Sequence, residues 1–148
     1  MIEGRASTTV RRSVDTVYDF VVVCFFDNYP RWSPEVELLQ PLGPARVAMG
    51  TRGRQVRIDQ GRRSETIFRV TQLEPCQRVS FQGEGNASFI IRYEFAPCGD
   101  AQCELRFTFQ LTRVELYMRP FEKLIRMAIQ DGSTRTVRNI KGLVERER

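Results

Sequence analysis

The sequence predicts an α+β fold: a curved antiparallel sheet of about six to seven strands wrapped around a long C-terminal helix, with two short helices after the first strand. Three observations lead there. Strand-like stretches follow one another from Glu35 to Thr112 with only turn signals between them, which calls for antiparallel neighbours. The last two stretches alternate apolar and polar residues, so the sheet is wet on one face and covered on the other. From about Pro120 onward apolar residues recur at helical spacing, which supplies the cover.

The elements follow in chain order. Arg5 to Arg12 reads as an opening strand. Ser13 stands at an N-cap position before "VDTVYDFVV", and Asp15 lies near the positive end of that helix's dipole. A second short helix covers Cys24 to Tyr29, with Pro30 and Pro34 expected to end helical structure. Strands are expected at Glu35–Leu39, Thr51–Asp59, Ser64–Thr71, Arg78–Gln82, Ala87–Ala96 and Gln102–Thr112. The turns "PLGP", "DQG", "LEP", "GEGN" and "PCGD" separate them. In the fifth of these, Phe89, Ile91, Tyr93 and Phe95 share a face; in the sixth, Cys103, Leu105, Phe107, Phe109 and Leu111 do.

The final helix carries a stripe of Phe121, Leu124, Ile125, Ala128, Ile129, Thr136, Ile140 and Leu143, bulky at both ends and small at Ala128, Gly132 and Thr136. A glycine inside a helix costs about 1 kcal/mol against alanine, so it wants a reason. Close packing of the helix on the sheet is one reason; a cavity left between them is the other. A strongly curved sheet facing Ala and Gly tilts the reading toward a cavity.

Composition bounds the rest. The chain of 148 residues, 41% hydrophobic and 28% charged, reads as one globular domain spanning 1–148. Its longest apolar run, Phe20 to Phe26, is far short of the roughly 20 residues a membrane span needs, and no signal-peptide pattern opens it, so a cytoplasmic location is expected. Residues 2–5, "IEGR", match a protease recognition tetrapeptide, so residues 1–5 admit a reading as a cloning remnant as well as the lead into the first strand. The net charge of +5 comes from 23 basic residues, of which only Lys123 and Lys141 are lysine. They are spread over every segment among acidic residues, which reads as an Arg-rich surface and not as a nucleic-acid footprint. Cys98 and Cys103 flank a turn, but with four cysteines and no histidine a zinc site lacks ligands, and reduced thiols are expected. The absence of histidine also excludes a Ser–His–Asp triad, and no G-x-S-x-G, G-x-G-x-x-G or phosphate-binding loop is present, so no cofactor is expected.

Several stretches together resemble a known group. "VRRSVDTVYDFVV" is similar to an opening strand and helix with a Val-x-x-Phe core pair, here Val17 and Phe20. "FDNYPRWSPEV" resembles an aspartate followed by a Tyr-Pro-x-Trp-x-Pro loop. "GTRGRQVRID", "FRVTQLEPCQRVSF", "YEFAPCGDAQCELRFTFQL" and "IKGLVE" resemble its third strand, its Glu-Pro…Arg-Val strand pair, its closing hairpin and its helix end. The group is the START-related helix-grip superfamily, which includes the birch-pollen-allergen-like proteins, and within it (SRPBCC) the bacterial polyketide cyclase/dehydrase and coenzyme Q-binding-like proteins. The resemblance spans nearly the whole chain. It implies an apolar pocket between sheet and C-terminal helix for a lipid, isoprenoid quinone or polyketide. Fold alone does not choose among transport, sensing, cyclisation and partner binding.

The leading expectation is binding of a hydrophobic small molecule without catalysis, by a monomer or homodimer. Phe68, Phe81, Phe89, Ile91, Tyr93, Phe107 and Phe109 would form the sheet side of the pocket, and Phe121, Ile125, Ala128 and Gly132 the helix side. Trp32, the single tryptophan, sits between Pro30 and Pro34, where it either gates the pocket or plugs the core. The first alternative is a polyketide cyclase or aromatase, for which Tyr93 is the one candidate catalytic group, with Tyr18, Thr66 and an inward Arg or Glu as further polar candidates. The second is a protein-binding module using Arg52, Arg54 and Arg57 on a basic convex face.

Overall fold

The computed structural model describes residues 1–147. Seven antiparallel strands form one sheet in the order β1-β7-β6-β5-β4-β3-β2, so that the first strand closes one edge beside the last. They are β1 (Ile2–Val10), β2 (Val36–Pro41), β3 (Arg52–Asp59), β4 (Arg62–Glu74), β5 (Arg78–Gly83), β6 (Phe89–Pro97) and β7 (Cys103–Leu111). Register shifts at Val36/Leu38 and Val70/Gln72 interrupt the ladder, and such irregularities bend a sheet. The inward residues of β6 and β7 are those the alternation marks, with Tyr93, Phe95, Leu105 and Phe107 buried. The opening strand is displaced from the expected Arg5–Arg12: it begins at Ile2, which is fully buried opposite Leu111, so "IEGR" is part of the sheet.

Ser13 caps α1 (Val14–Tyr18), its Oγ accepting from the Thr16 amide at 3.3 Å. The helix continues as a π turn over Asp19–Val23, closed by the Cys24 amide on the Asp19 carbonyl, which turns Phe20, Val21 and Val22 all into the core. The second helix, α2, runs Phe25–Trp32, three residues past its expected end, with Pro30 inside it. Proline removes one helical hydrogen bond. Burial of Phe25, Tyr29 and Trp32 on one face of α2 outweighs that loss.

A 3-10 stretch at Leu116–Phe121 contains Pro120 and leads into α3 (Glu122–Arg146). The packed face of α3 is Ser133, Val137, Ile140 and Val144. The expected stripe is corrected at its start: Leu124 is exposed and Phe121 is 57% exposed, because the packed face winds away from them by the time the helix reaches the sheet. Helix α3 also guards the β1 edge, where unpaired backbone groups would otherwise invite another strand. The Gln130 amide makes two hydrogen bonds to the Arg5 backbone (3.2 and 2.8 Å), and the Glu145 carboxylate accepts from the Arg11 amide at 2.8 Å.

Close approach of α3 depends on a glycine, and it is Gly4 of β1. A Cβ there would sit 2.7 Å from both Ile129 Cγ2 and Ser133 Oγ. Gly4→Val is therefore expected to lower stability by about 1–3 kcal/mol through overpacking, read as a lower urea midpoint.

The Glu145 clamp titrates. Lys141 Nζ at 2.8 Å, the Arg11 amide and the Arg11 guanidinium hold its carboxyl at about 2, below the ordinary 4.5. A depressed folded-state pKa gives stability that is fully present above about pH 4.5 and is lost as pH falls through about 2. Because the clamp lies at the solvent rim, Glu145→Gln should cost only about 1 kcal/mol at pH 7. It should also flatten the decline of stability between pH 4.5 and 2 in urea melts repeated down the pH scale.

One core connects these elements. Phe25 lies at its centre, stacked on Tyr29 and Phe81 with centroids 4.9 and 4.6 Å apart and edge-on to Phe68. All four cysteines are free thiols; burial pushes Cys103 up to about 11, which keeps it protonated. Among the described residues no helix is long and apolar enough to cross a membrane.

Candidate functional site

Sheet, α2 and α3 do not fill the space between them. A cavity of about 350 Å³ remains, within the range of small-molecule sites. Its walls differ in chemistry. On the β6–β7 side stand Phe89, Ile91, Tyr93, Phe107 and Phe109, with the Phe89 and Phe109 rings stacked at 6.2 Å. On the β3–β4 side the period of two puts Gln55, Arg57, Asp59, Ser64 and Thr66 inward, all hydrophilic. Helix α3 closes the third side with Ala128, Ile129, Gly132, Ser133, Thr136 and Asn139.

Gly132 belongs to this opening and not to a tight contact. A Cβ built on it meets only Arg135 Nη2, at 3.8 Å. Of the two reasons for a glycine in α3, the cavity is the one its surroundings support.

The polar wall is organised around Arg57. Its Nε and Nη2 donate to the two carboxylate oxygens of Asp59 (3.1 and 3.0 Å), and Nη1 donates to Tyr29 Oη at 2.8 Å and Ser33 Oγ at 3.0 Å. Tyr29 in turn donates to Gln55 Oε1 at 3.0 Å. Burial works to lower the arginine's pKa, but Tyr29 and Asp59 outweigh it and the guanidinium stays charged. Burial raises the pKa of Tyr29, opposed by Arg57, and burial also raises that of Tyr93, so both phenols remain protonated near neutral pH. At the mouth Arg135 donates to Glu35 Oε1 at 3.2 Å, while Glu35 Oε2 is buried without a partner among the described residues.

Trp32 is 1% exposed and forms the boundary between core and cavity. Its ring packs on Phe20, Phe25, Tyr29 and Tyr93, its indole N–H donates to Tyr93 Oη at 3.3 Å, and its carbonyl accepts from Asn139 of α3 at 3.0 Å. It is a core plug whose face also lines the cavity.

Of the residues expected at the pocket, Trp32, Phe89, Ile91, Tyr93, Phe107, Phe109, Ala128 and Gly132 meet around it. Phe68 and Phe81 lie deeper, in the core around a small recess that adjoins the cavity through Gln55 and Tyr93. Phe121, at the end of the 3-10 stretch, and Ile125, in the first turn of α3, stand outside the lining. Tyr18 is also remote, edge-on to Phe95. Arg57 is displaced from the expected convex basic face to the cavity wall, while Arg52 and Arg54 remain outside, paired with Glu84 and Glu65. Sequence reasoning misses Tyr29, Gln55 and Asp59. The signal for Gln55 and Asp59 is the hydrophilic Gln-x-Arg-x-Asp alternation of β3, which competes with the apolar Val56 and Ile58 of the opposite face; Tyr29, in α2, has no part in that pattern.

Comparison with known proteins fits this architecture. Residues 1–145 match the family described as polyketide cyclase / dehydrase and lipid transport. Among solved structures, the Zhui aromatase/cyclase from Streptomyces sp. R1128 superposes with a TM-score of 0.79 at 13% identity, covering 97% of this chain and 93% of that one. The TTHA0849 protein of Thermus thermophilus gives 0.75 at 18% identity over 96% of both chains. A START superfamily protein from Mycobacterium smegmatis gives 0.72 at 17% over 97% of both. These likenesses establish the helix-grip fold. No curated protein sequence matches. With the family match covering nearly its whole length, the chain belongs to the polyketide cyclase/dehydrase and lipid transport family.

Proposed function

We propose that the protein binds a largely apolar, oxygen-bearing small molecule, such as an aromatic polyketide or a quinone, in the cavity between sheet and α3. The observation that carries this reading is the split lining: an aromatic wall from β6 and β7 faces a polar wall built on Arg57. A plain acyl chain would displace water from the polar wall without replacing the hydrogen bonds that water makes to its remaining donors and acceptors, at a cost. A flat ring system with oxygens on one edge suits both walls. At about 25 cal/mol per Å², a few hundred Å² of apolar burial supplies the affinity.

A thermal-shift screen of aromatic ketones, quinones and fatty acids, paired with native mass spectrometry of the purified protein, tests it. Ligand at a hundred times its Kd stabilises by about 2.7 kcal/mol, worth roughly 5–10 °C for a chain of this size. Ketones or quinones should produce that shift and fatty acids much less. No shift with any class and no co-purifying molecule would sink the reading.

Cyclisation of a poly-β-keto substrate is the second reading, favoured by the placement of Arg57 beside Tyr29 on the polar wall and by the fold likeness to an aromatase/cyclase. A charged donor beside phenols polarises a carbonyl toward enolisation. It requires turnover that Tyr93→Phe or Arg57→Met removes while binding of the substrate persists; turnover unchanged in both variants would dismiss it.

A further inference from the structure

Two donors at the deep end of the cavity have no acceptor among the described residues. The first is the Gln55 amide. Arg57 Nη1 can only donate, so the Tyr29 oxygen accepts from it and the single Tyr29 proton goes to Gln55 Oε1. With Oε1 taking the Tyr29 proton, Nε2 lies on the side away from Tyr29. Gln55 is 4% exposed and lines the cavity, and Nε2 donates to nothing among the described residues.

The second donor is the Tyr93 hydroxyl. The Trp32 indole N–H is a donor only, so the Tyr93 oxygen accepts from it and its own proton needs a different partner. Tyr93 is 2% exposed, and among the described residues no group takes that proton. Both side chains border the same deep recess, together with Tyr29, Phe89 and Ile91. Donors that lose water without gaining an acceptor are costly, so a ligand that fills the recess gains by accepting from them.

We infer that Gln55 Nε2 and Tyr93 Oη form a two-donor seat for one carbonyl oxygen, which makes aromatic ketones and quinones the preferred ligand class over hydrocarbons and acyl chains. A carbonyl oxygen brings two lone pairs and no proton of its own, which matches two donors. This rests on the reading of the cavity as a binding site and adds the group it recognises. Arg57 and Asp59 act at one remove: they hold Tyr29, which orients the amide.

Fluorenone and fluorene test the seat, since they share shape and differ in C=O against CH₂. Neutral hydrogen bonds of this kind are each worth about three- to tenfold, so the native protein should prefer fluorenone by roughly 10- to 100-fold. Tyr93→Phe and Gln55→Met should each lower that preference by about three- to tenfold, with fluorene binding retained or tightened. The infrared carbonyl stretch of bound fluorenone should rise in frequency in each variant, a change that altered packing alone does not produce. If Gln55→Met does not fold, Tyr93→Phe carries the test by itself. Equal affinity for the two probes in the native protein overturns the seat and leaves the cavity reading standing. A preference and a carbonyl stretch undiminished in both variants also overturn it. Binding of neither probe overturns both.

Discussion

Trp32→Ala is expected to lower stability by about 3–5 kcal/mol, more than any other change named here, read as a large drop in the urea midpoint. The side chain is enclosed by Phe20, Phe25, Tyr29 and Tyr93, and the surrounding rings belong to rigid elements that cannot collapse into the hole. Truncation also removes the indole donor from Tyr93. Because the same ring lines the cavity, ligand affinity should fall as well. A loss of ligand affinity with stability within about 1 kcal/mol of the native protein would assign Trp32 to gating alone.

Gly132→Phe should do the converse, abolishing ligand binding while the fold is retained. Nothing but Arg135 Nη2 stands near the added Cβ, so the new ring projects into the cavity and meets no backbone. Replacing glycine inside a helix gains a few tenths of a kcal/mol or more in propensity, so the melting temperature should hold or rise. Displacing about 100 Å² of ligand contact costs about 2.5 kcal/mol, close to a hundredfold in Kd. Gly132→Ala provides the control: a slightly more stable protein that still binds.

The architecture was legible because most of it rests on local signals. The alternation in β6 and β7, the Ser13 cap and the helical spacing after Pro120 each mark an element to within a few residues, and the structure places them accordingly. The apolar wall was legible for the same reason, since inward residues of an amphipathic strand are named by their period. The polar wall was not. Strand β3 offers a hydrophilic set on one face and Arg52, Arg54, Val56 and Ile58 on the other, and hydrophobicity argues for turning Val56 inward. What decides the face is tertiary: Tyr29 and Ser33 present hydroxyls to Arg57 from α2 and its C-terminal end, so the charged side chain finds partners inside, while Val56 is buried on the opposite face. The lead-in to α3 misled in the opposite sense. Phe121 and Leu124 fit the helical stripe, but the contact of α3 with the sheet is set by Gly4 meeting Ile129 and Ser133, further along the helix. A glycine in the first strand therefore fixes the seat of the last helix, a pairing that no local pattern encodes.

The single tryptophan gives the most direct test of the cavity as a binding site, because Trp32 lines it and is the only indole in the chain. Titration of the native protein and of Gly132→Phe with fluorenone, followed by Trp32 emission, reads occupancy at the proposed site. Saturable quenching with one-to-one stoichiometry in the native protein, lost in Gly132→Phe at unchanged melting temperature, is the predicted result. No saturable quenching in the native protein, or the same curve in both proteins, would contradict it.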